Sequence, residues 1–237
     1  MSQYALATAT RPGRPRVVPR LANARAPRDE ILHAAAELFV NRGFAATSTR
    51  DIAEKVGIRQ ASPYYHFAGK PGILAELLEL SVRPSLEKVE RIELACPADV
   101  PEAALDLLAL IDVEALATVP HNLGKLYRMP DVRSSEVFAE FQPALQELTA
   151  AYGRLGADIV SSTVAATVSM DQLGGLLVQA VEAVTRIRSR GGEVTSVQGR
   201  AIAATCLRIC GVPEARIVRA TVTADGLLLR FAEERPA

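Results

Sequence analysis

Apolar residues recur at helical spacing from Arg28 onward. Ile31, Ala35, Leu38 and Phe39 fall at i, i+4, i+7 and i+8, one face of a helix. Asp29 and Glu30 lie in its first turn, where they favour the positive end of the helix dipole, and Gly43 closes it. Thr47 or Ser48 can cap a second helix, with Ile52, Ala53 and Val56 on its buried side and Gly57 ending it. Next comes "RQASPYYHF", residues 59–67. Lys70 opens a longer helix with Ile73, Leu74, Leu77, Leu78 and Val82 turned inward, which Pro84 is expected to kink or end.

Beyond "CPADVP" at 96–101, a connection, the pattern predicts helices near 101–118, 122–128, 134–153, 159–188 and 195–210. Residues 213–232 are ambiguous. Their β-branched residues suit a strand, but a lone strand has no partner, so a final helix is favoured. Leu173, Leu176, Leu177, Ala180, Val181 and Val184 make a wide apolar face on 170–188. Ile202, Ala203, Leu207, Ile209, Cys206 and Cys210 make another on 195–210. These two helices are the expected dimer interface, although so wide a face suits intramolecular core as well. Cys206 and Cys210 share a helix face and are expected as small hydrophobes there.

Charge divides the chain. Its net charge is zero, yet residues 1–72 carry 11 Lys+Arg against 5 Asp+Glu, and the remainder carries the opposite excess. A basic first third on an acidic body points to a polyanion partner for the first part only. Residues 1–27 hold five arginines, four prolines and no acid, and read as a flexible basic arm. No apolar run is long enough to span a membrane, no secretory signal is evident, and three cysteines are too few for a disulfide framework. A soluble cytoplasmic protein is expected. Enzyme signatures are missing: no Gly-rich phosphate loop, no His-Glu-x-x-His and no Gly-x-Ser-x-Gly. No catalytic residue, cofactor or metal is expected.

Two short helices joined by a glycine turn in a basic segment form a helix-turn-helix signal. One helix enters the major groove and the other braces it. The stretch "ILHAAAELFVNRGFAATSTRDIAEKVGIRQASPYYHFAGKPGIL", residues 31–74, resembles the tetracycline-repressor (TetR) family of bacterial regulators. The resemblance rests on Gly43-Phe44, Thr47-Ser48, Asp51-Ile52-Ala53, Gly57 and the run from Tyr64 to Phe67 with Lys70. It implies an all-α homodimer. A three-helix DNA-binding domain (28–72) would precede a helical effector-binding and dimerisation domain (73–237). It further implies a repressor of double-stranded operator DNA, released by a small molecule that moves the two reading heads. The alternative is a helix-turn-helix protein controlled by a protein partner, or one with no small-molecule effector.

The residues assign themselves roles. Arg59, Gln60, Ala61 and Ser62 open the reading segment and are best placed for base edges. Tyr64, Tyr65, His66 and Lys70 come later and contact phosphates or pack; Phe67 is core. Thr47, Ser48 and Arg50 are expected to grip the backbone at the start of the bracing helix. In the arm, Arg14 and Arg16 of "RPGRPR" suit a narrow minor groove. Pro63 departs from the family pattern, which has a bulky aliphatic there. It predicts that the reading helix starts late or tight, as a 3₁₀ turn, with Arg59 and Gln60 freed to reach bases.

Effector contacts are expected among His121, Tyr127, Met129, Phe138, Phe141, Gln142, Thr167, Met170 and Gln179. Scarce clustered charge in this half favours a small, mostly apolar or aromatic effector. The small-residue run "SSTVAATVS" at 161–169 either lets helices approach closely or leaves space for that ligand.

Overall fold

The computed structural model describes residues 26–119 and 121–233, with side chains to residue 231. Among them every regular element is helical. Helices α1 (Pro27–Arg42) and α2 (Thr49–Val56) and the 3₁₀ helix η1 (Ser62–Tyr65) come first. Then follow α3 (Gly69–Ala95), α4 (Glu102–Thr118), the 3₁₀ helix η2 (Leu123–Arg128), α5 (Pro130–Arg133) and α6 (Glu136–Ala157). The last are α7 (Ser162–Ala165), α8 (Met170–Val181), α9 (Ala183–Ser189), α10 (Ser196–Ile209) and α11 (Glu214–Glu233). None is long and apolar enough to cross a membrane.

The head forms from α1, α2, η1 and the start of α3. Ile31, Ala35, Phe39, Ile52, Phe67, Ile73 and Leu74 meet in its core. Helix α1 runs from Pro27, whose missing N–H costs nothing at a first turn. Ser48 and Asp51 close a capping box on α2: the Asp51 N–H donates to Ser48 Oγ (3.2 Å) and the Ser48 N–H to Asp51 Oδ2 (2.7 Å). Gly57 ends α2 at φ 72°, a conformation that disfavours any side chain.

Helix α3 does not stop at Pro84. Its buried residues continue past the proline through Ser85, Val89 and Ile92. The carbonyl that Pro84 leaves unbonded belongs to Leu80, an exposed position where water can serve it. Burial on both sides of the proline therefore outweighs one lost hydrogen bond.

The body is built round α4. Glu102 and every residue from Ala103 to Val113 are buried, because α3, α6, α10 and α11 all pack on this helix. Within that apolar centre Asp112 accepts from Tyr152 Oη (2.6 Å) and from the Ser85 hydroxyl, fastening α3, α4 and α6 together. Burial pushes the Asp112 carboxyl above its ordinary value.

The stretch expected as one helix over 159–188 is divided into α7, α8 and α9. Within 161–169, Ser161 and Val164 lie close against Gly211, and a further close approach joins α6 and α8. At Gly174 of α8 a Cβ would meet the Thr149 carbonyl at 2.3 Å and the Gly153 nitrogen of α6 at 3.1 Å, so two glycines set how near α6 and α8 pass. Residues 214–233 form a helix.

The expected dimer pair needs correction. Leu173, Leu177, Val181 and Val184 are 2%, 0%, 3% and 0% exposed, packed inside the protomer. Ala203, Cys206, Leu207 and Cys210 are all 0% exposed. Most of both faces is therefore intramolecular core, while Leu176 is 45% exposed and Ala180, Ile202 and Ile209 are half-buried. Burial drives the Cys206 and Cys210 thiols up to about 12 and about 11, so they are inert apolar groups.

Candidate nucleic-acid interface

The reading segment is a train of tight turns. The Ser62 N–H donates to the Arg59 carbonyl (2.9 Å), the Tyr64 N–H to Ala61 (3.3 Å) and the His66 N–H to Pro63 (3.1 Å). Each bond spans three residues, the 3₁₀ spacing. Pro63 sits buried in the first turn of η1, where a helix needs no donor. The late, tight start expected from the proline is what the backbone adopts. Arg59, Gln60 and Ala61 precede η1 and are exposed; Ser62 is half-buried.

Tyr64 and Tyr65 are 59% and 86% exposed, unusual for aromatic side chains with a core beside them. His66 is exposed too, while Phe67 is buried against the head core. Tyr64 Oη lies 3.1 Å from Thr49 Oγ1, so the hydroxyls of η1 and of the first residue of α2 meet on one face. Thr49 was not singled out by sequence reasoning. Its place as first residue after the cap could have flagged it. Ser48 and Arg50 are exposed beside it. The Ser48 hydroxyl, then the Ser48 backbone, holds the Asp51 carboxyl below its usual value and keeps the capping acid ionised.

Two expected phosphate ligands have other work. Thr47 is 1% exposed and its hydroxyl donates to the Gly43 carbonyl (2.9 Å), so it braces the α1–α2 turn from inside. Lys70 Nζ donates to the carbonyls of Phe44 (2.8 Å) and Thr47 (2.9 Å) and lies 4.3 Å from the Phe44 ring centroid. Its charge is spent on the same turn. Arg14 and Arg16 lie outside the described residues.

Head and body are stitched together. Arg28 pairs with Glu76, Lys125 Nζ donates to the Val40 carbonyl (3.1 Å), and the Ala45 N–H donates to Asp131 Oδ2 (2.7 Å).

The expected effector residues are only partly gathered. Tyr127 and Phe141 stack with centroids 6.5 Å apart, and Phe138 lies 6.0 Å from Phe141. Met129 is half-buried against the core nearby in sequence. Burial, reinforced by Glu182, pushes the Tyr127 phenol well above its usual value. Gln142, Thr167, Met170 and Gln179 are exposed. His121 lies against α1, where it lines a cleft of about 290 Å³ with His33. Larger clefts of about 340 Å³ and 310 Å³ open where α11 meets α3 and α4, and where α10 meets α4.

Residues 31–77 match the sequence profile of the bacterial regulatory proteins, tetR family. The crystal structure of AmtR from Mycobacterium smegmatis is 35% identical, superposes with a TM-score of 0.73, and the match covers 88% of this chain and 98% of that one. The chain belongs to the TetR family. As a TetR-family chain it is a helix-turn-helix regulator and not an enzyme. The repressor KstR2 of Mycolicibacterium smegmatis is 47% identical over 51 residues, 22% of this chain and 25% of that protein, so this kinship spans about a quarter of the relative. KstR2 of Mycobacterium tuberculosis, described as a ketosteroid transcriptional regulator, shares the fold at 21% identity and a TM-score of 0.62 over 80% of this chain and 95% of that one. The TetR-family match falls on α1, α2, η1 and the start of α3, the elements that build the exposed face described above.

Proposed function

We propose that this protein is a cytoplasmic transcriptional repressor that binds double-stranded operator DNA as a homodimer and is released by a small, mostly apolar or aromatic effector. The observation that carries the DNA-binding part is the exposed run Arg59, Gln60, Ala61, Tyr64, Tyr65 and His66 beside Ser48, Thr49 and Arg50. Arg59 and Gln60 carry the hydrogen-bonding groups that suit guanine and adenine edges, and the Ala61 methyl suits thymine. Ser62 sits at the edge of that surface. Tyr64, Tyr65, His66, Ser48 and Arg50 suit phosphates, which position without specifying. Arg14 and Arg16 would add groove or backbone contacts from the arm.

The domain division follows the same elements, with 28–72 as the head and 73–237 as the body. Dimerisation is best served by α10 and α11. Val197 is 74% exposed, and Val218, Val222 and Leu229 are 58%, 70% and 68% exposed. On α11 these follow helical spacing and form one stripe. For the effector, the Tyr127–Phe138–Phe141 cluster with Met129 and the clefts beside α4 are the candidate lodgings.

The test is anisotropy binding to DNA flanking the protein's own gene across a salt series. Arg59→Ala and Gln60→Ala should each cost about 1–3 kcal/mol and relax preference at one base pair, whereas Arg50→Ala should weaken all sequences alike and lower the salt slope by about one. Deleting residues 1–25 should also flatten the slope. Binding without sequence preference in the intact protein would refute the repressor assignment.

A further inference from the structure

His33 and Glu37 stand four residues apart on α1 and so share a helix face. His121 reaches the same face from the segment joining α4 to η2. It does so at φ 61°, in the left-handed region, and is the one non-glycine residue there among the described residues. The strained backbone brings the His121 ring to 4.4 Å, centroid to centroid, from the His33 ring. One donor atom from each of His33, Glu37 and His121 lies within 4.8 Å of the others. All three residues are half-buried. The His121 Nε2 atom is buried with no hydrogen-bond partner, which asks for an explanation. Leu32, Leu77 and Leu123, with the carboxylate Asp29, line the cleft that opens on the pair of imidazoles.

Two imidazole nitrogens and a carboxylate oxygen form a donor set suited to borderline cations. Bonds of about 2.0–2.2 Å to a shared ion need such donors somewhat closer than they stand, a shift within the reach of side-chain rotation. We propose that His33, Glu37 and His121 bind a divalent transition-metal cation of the zinc type at the joint between head and body. A fourth position is left for water. Glu37 also accepts from Lys55 Nζ of α2 (2.7 Å), and a carboxylate has two oxygens, so ion and ammonium can share it. Lys55 and Arg188 bring positive charge near the imidazoles and temper the affinity. A bound ion would join α1, α2 and the α4–η2 segment through one centre.

The proposal is read by metal uptake alone and stands or falls separately from DNA binding. The full chain without a tag, stripped by chelator, is titrated with Co²⁺ while its visible ligand-field bands are followed, and Zn²⁺ is used to displace it. One cobalt ion per chain is expected. His33→Ala, Glu37→Gln and His121→Gly should each weaken uptake by at least about tenfold. His121→Gly serves as the folding control, since glycine tolerates the positive φ: without metal its Tm should match or exceed that of the parent. Zn²⁺ should raise the Tm of the parent and not that of His121→Gly. Uptake that survives in His33→Ala and His121→Gly, or no saturable uptake by the parent, overturns the proposal.

Discussion

Pro63 is buried at the start of η1, whose turn bonds span three residues, and its carbonyl also accepts from the Phe67 N–H four residues on (3.0 Å). The ring sets φ where the turn needs it and withholds a donor where none is required. Pro63→Ala should therefore lower stability by about 1 kcal/mol, through a freer unfolded chain and a smaller buried group. Urea unfolding reads this directly, and a higher midpoint in the variant would mean that the ring is strained. At this scale the sequence was legible wherever chemistry is local. The Ser48 cap, the Gly57 turn and the tight start at Pro63 all depend on neighbours in the chain. Thr47 and Lys70 were misread because their partners, the carbonyls of Gly43, Phe44 and Thr47, exist as a cluster only once the α1–α2 turn has closed. His33 and Glu37 share a face of α1, but His121, distant in sequence, joins them only in the fold.

Among the elements, α4 carries a carboxylate that its apolar pattern conceals. Asp106 is 1% exposed, and burial first, then Asp225 on α11, lifts its carboxyl from 3.8 to about 7. Between those values the folded chain holds a proton that the unfolded chain has released. Stability is then fullest below the lower value and falls as pH rises through about 7. Asp106→Asn should flatten this slope and raise Tm above pH 7, as thermal melts across that range would show. An unchanged slope would place the proton elsewhere. Helix existence was legible from periodicity along most of the chain, and α11 formed where β-branching pointed both ways. Where α3 ends was not, because the residues that carry it past Pro84 are held by α4 and α6, which one-dimensional spacing does not contain.

For the molecule as a whole, an apolar face announces burial without naming what covers it. The faces on 170–188 and 195–210 are mostly covered within the protomer, apart from Leu176, while α11 leaves Val218, Val222 and Leu229 outside. Val222→Glu should shift the protein to monomers in sedimentation and reduce operator affinity, with the circular-dichroism signal of the fold retained. A dimer that withstands this change would move the interface off α11. The remaining large-scale feature is α3, which packs on α1 at one end and on α4 and α6 further along. Its 27 residues make a rod about 40 Å long. A tilt of about 5° at the body end displaces the other end by about 3.5 Å, close to the ~3.4 Å spacing of successive bases on one strand. Under the proposed function, a body rearrangement too small to open a cavity would arrive at the DNA as a frameshift, with a reading head one letter out of step.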